Sequence, residues 1–271
     1  MRELLIRTLS GIVFTGIVLA CIFISPWSFA ALALFVTAVG TFEMARLFKM
    51  DKLGGLMAGE GVVLCAFLLM AAVALSVVPM RYLSIELPLL VTPFLMALFS
   101  KKHTAKEILS YVYASVFFLA LPMSLMLFFY RGDLFGEKAG PMLVMIVFVM
   151  LWVNDIFAYL SGRLLGKHKL FLRISPGKTI EGSIGGLLFT ALTIALISRY
   201  FDWMPVPSSM SLAAIAVVFG TLGDLIESMM KRQAGVKDSG RLIPGHGGIL
   251  DRFDSVLFSV PFIFVYLLLL S

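Results

Sequence analysis

The protein has 271 residues, 60% of them apolar and only 14% charged, with a net charge of +6 and a mean hydropathy of +1.01. A soluble domain carries about a quarter of its residues as charges, so a soluble fold with a polar surface is excluded and many of these side chains must face lipid. In a membrane protein the positive balance reports cytoplasmic loops and anionic headgroups, no nucleic-acid partner is expected, and Cys21 and Cys65, both inside apolar runs, imply no disulfide framework.

A spanning helix needs about 20 mostly apolar residues. Taken in chain order, such stretches predict nine spans, at 5–24, 28–47, 56–78, 83–99, 109–130, 141–163, 184–201, 210–229 and 254–270. The basic start (Arg2, Arg7) and apolar run have the form of a signal peptide, but no small-residue cleavage site follows, so a retained first helix is expected. The connection at Ser25-Pro26 is short enough to force a tight hairpin between the first two spans. The fold class is therefore all-α: a polytopic integral membrane protein of about nine helices, with no internal repeat.

The basic residues set an orientation. With the N-terminus in the cytoplasm, 18 of the 22 Lys and Arg fall in cytoplasmic segments, and only Arg81, Arg131, Lys138 and Arg199 fall on the opposite side. This alternation from helix to helix follows the positive-inside rule. One transmembrane domain over 1–271 is expected, with the helices of 1–140 as a lipid-facing scaffold. The helices of 141–271 carry the chemistry, with two basic, Gly-rich cytoplasmic loops at 161–183 and 231–254.

Carboxylates inside a bilayer cost about 2.5–3.5 kcal/mol each on insertion scales, so each needs a reason. Asp155 lies in the sixth span, roughly 12 Å from its cytoplasmic end at 1.5 Å per residue. Asp224 and Glu227 share one face of the eighth, and Asp251 and Asp254 open the ninth. All five can converge near the inner leaflet. Glu227 is spaced to pair with Lys231, four residues on. Asp224 has no basic residue three or four positions away, so a metal or a water-filled cavity is expected beside it. Carboxylate oxygens are hard ligands suited to Mg²⁺. Glu43 is expected to pair with Arg46; Glu60 receives no role, and His103 and His168 have no ligand partners at useful spacing.

The second basic loop carries Lys231, Arg232, Lys237 and Arg241, then Pro244-Gly245-His246-Gly247-Gly248. Its glycines free the backbone to bend around an anion, and its cations suit phosphates. The bland alternative, a solvated positive-inside loop, holds about equally for any single cation. The first loop contains Ser175-Pro176-Gly177-Lys178-Thr179. Leu172 stands where a Walker motif needs Gly, so a P-loop NTPase is rejected, but a Lys near a helix N-terminus can still bind phosphate.

The stretch from Ser228 through Lys231-Arg232 and Lys237-Asp238 to Pro244-Gly245-His246-Gly247-Gly248-Ile249-Leu250-Asp251-Arg252-Phe253-Asp254 resembles the signature of the phosphatidate cytidylyltransferase family. Leu222 to Glu227, Asp155 to Leu160 with Gly166 to Lys169, and Ser175 to Gly182 are similar to the family's other motifs. The resemblance implies a magnesium-dependent enzyme of the cytoplasmic (inner) membrane that makes CDP-diacylglycerol from CTP and phosphatidate for phospholipid biosynthesis. Asp224 and Asp251 stand at the family's metal-ligand positions, a second cation is compatible, and Asp155, Glu227 and Asp254 are further candidate ligands. Lys178, Lys231, Arg232 and His246 are the other expected catalytic residues. Ser175, Thr179, Lys237, Arg241, Gly247 and Gly248 are expected to bind substrate phosphates. Two rivals are a CTP-dependent lipid kinase, such as a polyprenol kinase, and an ion-coupled transporter. The acids cluster at one face rather than at a midplane between repeats, which disfavours transport. Acyl-chain preference and oligomeric state are not set by the sequence, and a homodimer stays open.

Overall fold

The computed structural model describes residues 2–50, 53–243, 245 and 247–270, with side chains described outside 2–7 and 53–56. The chain runs α1 (Arg2–Ile24), α2 (Pro26–Leu47), α3 (Leu53–Ala74), a 3-10 turn (Met80–Ile85) leading into α4 (Glu86–Phe99), and α5 (Ala105–Phe128). After a short helical turn, Gly132–Phe135, come α6 (Pro141–Leu165), a hairpin of β1 (Lys169–Phe171) and β2 (Ser175–Thr179), α7 (Ile180–Phe201), α8 (Val206–Ala234) and α9 (Leu250–Leu270). Among the described residues, eight helical stretches are long and apolar enough to cross a membrane, and α1 adds a shorter one, Thr8–Ile24. The fold is that of an all-α polytopic membrane protein, and all nine expected spans correspond to helices.

Local chemistry explains the ends and breaks. Ser25 caps α2 in a reciprocal box with Ser28, each hydroxyl accepting the other's backbone N–H at 3.0 Å, and Pro26 occupies the first helical turn. That single-residue link makes the expected α1–α2 hairpin. In α5 the segment Val116–Ala120 widens to π geometry just before Pro122, whose missing N–H interrupts the ladder. Gly235, at φ +79°, ends α8 in the left-handed region that costs a side chain energy. The expected spans start too late at α7 and α9: polar capping residues, Thr179 and the acids described below, carry these helices into segments that hydropathy assigns to loops.

Helices α6 and α7 pack along one another, α8 packs along both α7 and α9, and α2, α3 and α5 close the other side. Phe253 of α9 sits fully buried between Phe14 of α1 and Phe148 of α6, with ring centroids at 5.8 and 6.3 Å. Apolar side chains such as Leu87, Leu98, Leu188 and Leu196 point outward, as lipid contact requires. At the end of the bundle away from the β hairpin, Arg131 pairs with Asp133 at 2.5 Å and donates to the Val73 carbonyl. The guanidinium holds the Asp133 carboxyl below the usual carboxylate range.

Candidate active site

The first polar centre forms where the hairpin meets α6, α7 and α8. Strands β1 and β2 pair antiparallel, Lys169 with Thr179 and Phe171 with Ser175. Glu181 in the first turn of α7 pins the hairpin: it meets His168 Nδ1 at 2.6 Å and accepts the backbone N–H groups of Lys167 and His168. Thr179 caps α7 by accepting the Gly182 N–H at 3.1 Å. Lys178 is thereby fixed one residue before a helix N-terminus, where the backbone adds positive potential.

From there Lys178 Nζ reaches Asp224 Oδ2 of α8 at 2.5 Å. The pair sits in a cavity of about 460 Å³. Asn154, Asp155, Tyr159 and Arg163 line it from α6, Ser175 and Gly177 from the hairpin, and Thr221 from α8. Asp155 is exposed to this cavity, and Asp254 of α9 lies within the electrostatic reach of Asp224, Asp155 and Lys178. A cavity does open beside Asp224, where a metal or a water-filled cavity is expected; it also holds a lysine that comes from another element and so escapes any local spacing rule.

The second centre is buried between α8, α9 and α2. Lys231 Nζ bridges Glu227 Oε2 and Asp251 Oδ1, both at 2.5 Å. The expected i,i+4 pair is therefore present, as one arm of a triad. Asp251 Oδ2 accepts the backbone N–H of Ser239 (3.0 Å) and of Gly248 (2.8 Å), and meets the Ser239 hydroxyl at 3.0 Å. Glu227 is fully buried, and its Oε1 has no hydrogen-bond partner among the described residues. Glu43 of α2 completes the centre, accepting the Ser239 hydroxyl at 2.8 Å and the N–H groups of Ile249 and Leu250 at 3.0 and 2.9 Å.

Glu43 is the residue that sequence reading missed. The expected Glu43–Arg46 pair does not form: Arg46 lies over the Phe42 ring at 4.5 Å, on the exposed side of α2. The only local signal is an acid in an apolar span, because the partners stand some 200 residues away.

The structure thus gathers Ser175, Lys178, Thr179, Asp155 and Asp224 at one cavity, with Asp254 beside them, and Glu227, Lys231 and Asp251 in a buried triad to which Gly248 donates its N–H. Arg232 is exposed, with Nη1 donating to the Val236 carbonyl. Lys237 and Arg241 line a different concavity, of about 600 Å³, together with Arg46. Gly247 lies beside Asp251, and His246 lies outside the described residues. The glycine loop's donors at 248–250 are engaged by the chain's own Asp251 and Glu43 rather than left open.

These donor sets bear on a divalent cation. Among the described residues no three of His, Cys, Asp or Glu are spaced as a ready-made metal cage. Mg²⁺ seldom uses one; it takes one or two carboxylates and completes its shell with water and substrate phosphate. Asp224, with Asp155 and Asp254 nearby, supplies hard oxygens of that kind at an open cavity. The residues fit such an ion.

A bundle of membrane-spanning helices with a lysine–carboxylate cavity and two basic loops at one end defines a polytopic membrane protein with a charged polar cavity. The chain belongs to the Cytidylyltransferase family, whose sequence model matches residues 5–270. It is 48% identical over 144 residues to the phosphatidate cytidylyltransferase of Staphylococcus aureus (strain COL), an alignment covering 52% of this chain and 54% of that protein. The phosphatidate cytidylyltransferase of Staphylococcus epidermidis (strain ATCC 12228 / FDA PCI 1200) is 45% identical over 133 residues, covering 49% and 51%. That of Staphylococcus haemolyticus (strain JCSC1435) is 47% identical over 126 residues, covering 46% and 48%. The chain spans about half the length of the curated relatives it matches.

Proposed function

We propose that this chain transfers the cytidylyl group of CTP to phosphatidate, giving CDP-diacylglycerol and pyrophosphate. The observation that carries the reading is the Lys178–Asp224 pair at the open cavity: a cation of the kind that binds phosphate and a carboxylate of the kind that binds Mg²⁺, held together at one end of a membrane bundle. The family and the relatives' names supply the nucleotide and the lipid.

In this reaction a phosphatidate oxygen forms a bond to the α-phosphorus of CTP, and the bond from that phosphorus to the bridging oxygen of pyrophosphate breaks. The nucleophile is already an anion at neutral pH, with a second pKa near 6 by analogy with phosphoserine, so no strong general base is required. The need is for positioning and charge neutralisation. Lys178 exchanges its contact with Asp224 for a triphosphate oxygen, and the Ser175 and Thr221 hydroxyls beside it supply neutral donors. Arg163 offers a further cation on the α6 wall of the cavity. Lys237, Arg241 and Arg46, at their own concavity, attract the second anionic group from the surface.

Asp224 would hold Mg²⁺, with Asp155 and Asp254 in its field; when bound, the ion would neutralise phosphate charge and stabilise the transition state. Asp251 would join as a ligand only on release of its Oδ1 by Lys231, since Oδ2 already accepts several donors. We place the N-terminus and both basic loops in the cytoplasm, where CTP is, and the protein in the inner membrane. Purified protein given Mg²⁺, phosphatidate and CTP should yield a cytidine lipid and pyrophosphate in equal amounts; pyrophosphate without cytidine lipid would refute the reading.

A further inference from the structure

Glu43 is the one carboxylate of α2, 3% exposed, and forms no ion pair among the described residues. Its three donors all belong to the second basic loop and the start of α9. Two of them, the N–H groups of Ile249 and Leu250, lie where α9 begins, so Glu43 acts as a helix cap supplied by another helix. The third is Ser239. Its hydroxyl has one proton and lies between two carboxylates, 2.8 Å from Glu43 Oε2 and 3.0 Å from Asp251 Oδ2.

The loop backbone is shaped around this carboxylate. A Cβ at Gly248 would stand 2.5 Å from both Glu43 oxygens, and one at Gly240 would also collide with Oε1. A side chain at either position would push the Glu43 carboxylate away, and at Gly248 the Ser239 hydroxyl as well, so both glycines admit the close approach of this cluster. Asp251 in turn holds Lys231, which holds Glu227. A continuous chain of contacts runs from α2 through Ser239 and Asp251 to the lysine of α8.

We propose that Glu43 is a positioning residue: through Ser239 and the first turn of α9 it fixes Asp251, held by its Oδ2, in the orientation that cytidylyl transfer uses. The kinetic side of this inference rests on the proposed activity; the structural side, that Glu43 latches the loop to α2, does not.

Glu43→Gln keeps the size of the side chain and removes its charge. A charge-assisted hydrogen bond lost here should lower kcat about 10- to 100-fold, with KM for CTP and for phosphatidate changed by no more than about threefold. Cleavage by trypsin after Lys237 and Arg241 should accelerate about tenfold, because the loop opens more often once unlatched. Ser239→Ala should lower kcat in the same way, and the double variant should be no worse than the poorer single one, since both break one relay. If Glu43→Gln does not purify folded, Ser239→Ala carries the test, because it leaves both helix-cap bonds intact. Wild-type kcat in either variant, a change confined to KM, or additive effects of the two would overturn the positioning role, and an unchanged trypsin rate in Glu43→Gln would overturn the latch. Wild-type protein that forms no cytidine lipid would instead sink the proposed activity, while the proteolysis rates would still decide whether Glu43 latches the loop.

Discussion

Lys178 at the end of the β hairpin and Asp224 in the middle of α8 meet Nζ to Oδ2 at 2.5 Å, across a cavity that no other pair of opposite charges spans among the described residues. Asp224 also accepts the Ser228 hydroxyl at 3.2 Å, but among the described residues neither partner has a local group of opposite charge, so the hairpin and α8 depend on each other to neutralise a charge at membrane depth. The pair also sets the first prediction. Lys178→Ala should cut kcat/KM for CTP about 10- to 100-fold, as the loss of a charge-assisted phosphate contact implies, with a smaller effect on phosphatidate. Equal losses for both substrates would show that Lys178 supports the fold rather than the nucleotide.

Asp224→Asn and Asp251→Asn should each abolish turnover while the protein still inserts and purifies, because neutral amide oxygens hold Mg²⁺ poorly. The two should differ otherwise. Asp251→Asn also leaves one neutral acceptor oxygen where two charged ones serve Lys231 and two loop N–H groups, so it should accelerate trypsin cleavage of the loop, whereas Asp224→Asn should not. Near-normal turnover of either variant at ordinary magnesium would remove that residue from the ligand set.

Lys231 is nearly buried between two carboxylates. Replacing it with Met leaves both acids uncompensated, a change that in buried pairs costs about 3–5 kcal/mol. Thermal unfolding in detergent should show Lys231→Met strongly destabilised and partly rescued by a second change, Glu227→Gln. A wild-type midpoint for Lys231→Met would mean that the triad contributes no stability.

Much of this was legible in the sequence. All nine spans stand out because a bilayer demands long apolar runs, and the Glu227–Lys231 pair follows from helical spacing alone. The convergence of Asp155, Asp224 and Asp254 follows from depth along three helices. What was not legible has one cause in common: partners brought together only by the packing of distant helices. Lys178 on Asp224 and Glu43 on the start of α9 are contacts of that kind, and local rules pointed Glu43 to Arg46 instead. The division of the cations was hidden for the same reason, since charge and glycine content mark a phosphate-binding loop without showing that Asp251 and Glu43 already occupy its donors.

Orientation is tested by labelling. With Cys21 and Cys65 replaced, Lys138→Cys and Lys237→Cys should react with an impermeant maleimide from opposite sides of the membrane, the second only after the cytoplasmic face is opened. Labelling of both from one side would contradict the proposed topology.

The most direct measurement follows the α-phosphorus of CTP. With CTP labelled there, and Mg²⁺ and phosphatidate present, purified protein should move the label into lipid, with one pyrophosphate released per labelled lipid. A phosphate nucleophile suits a site built to neutralise two anionic groups, whereas a lipid alcohol would want a base to take its proton. Label found only in water-soluble CDP, with an alcohol lipid phosphorylated, would contradict the account and make the chain a CTP-dependent lipid kinase.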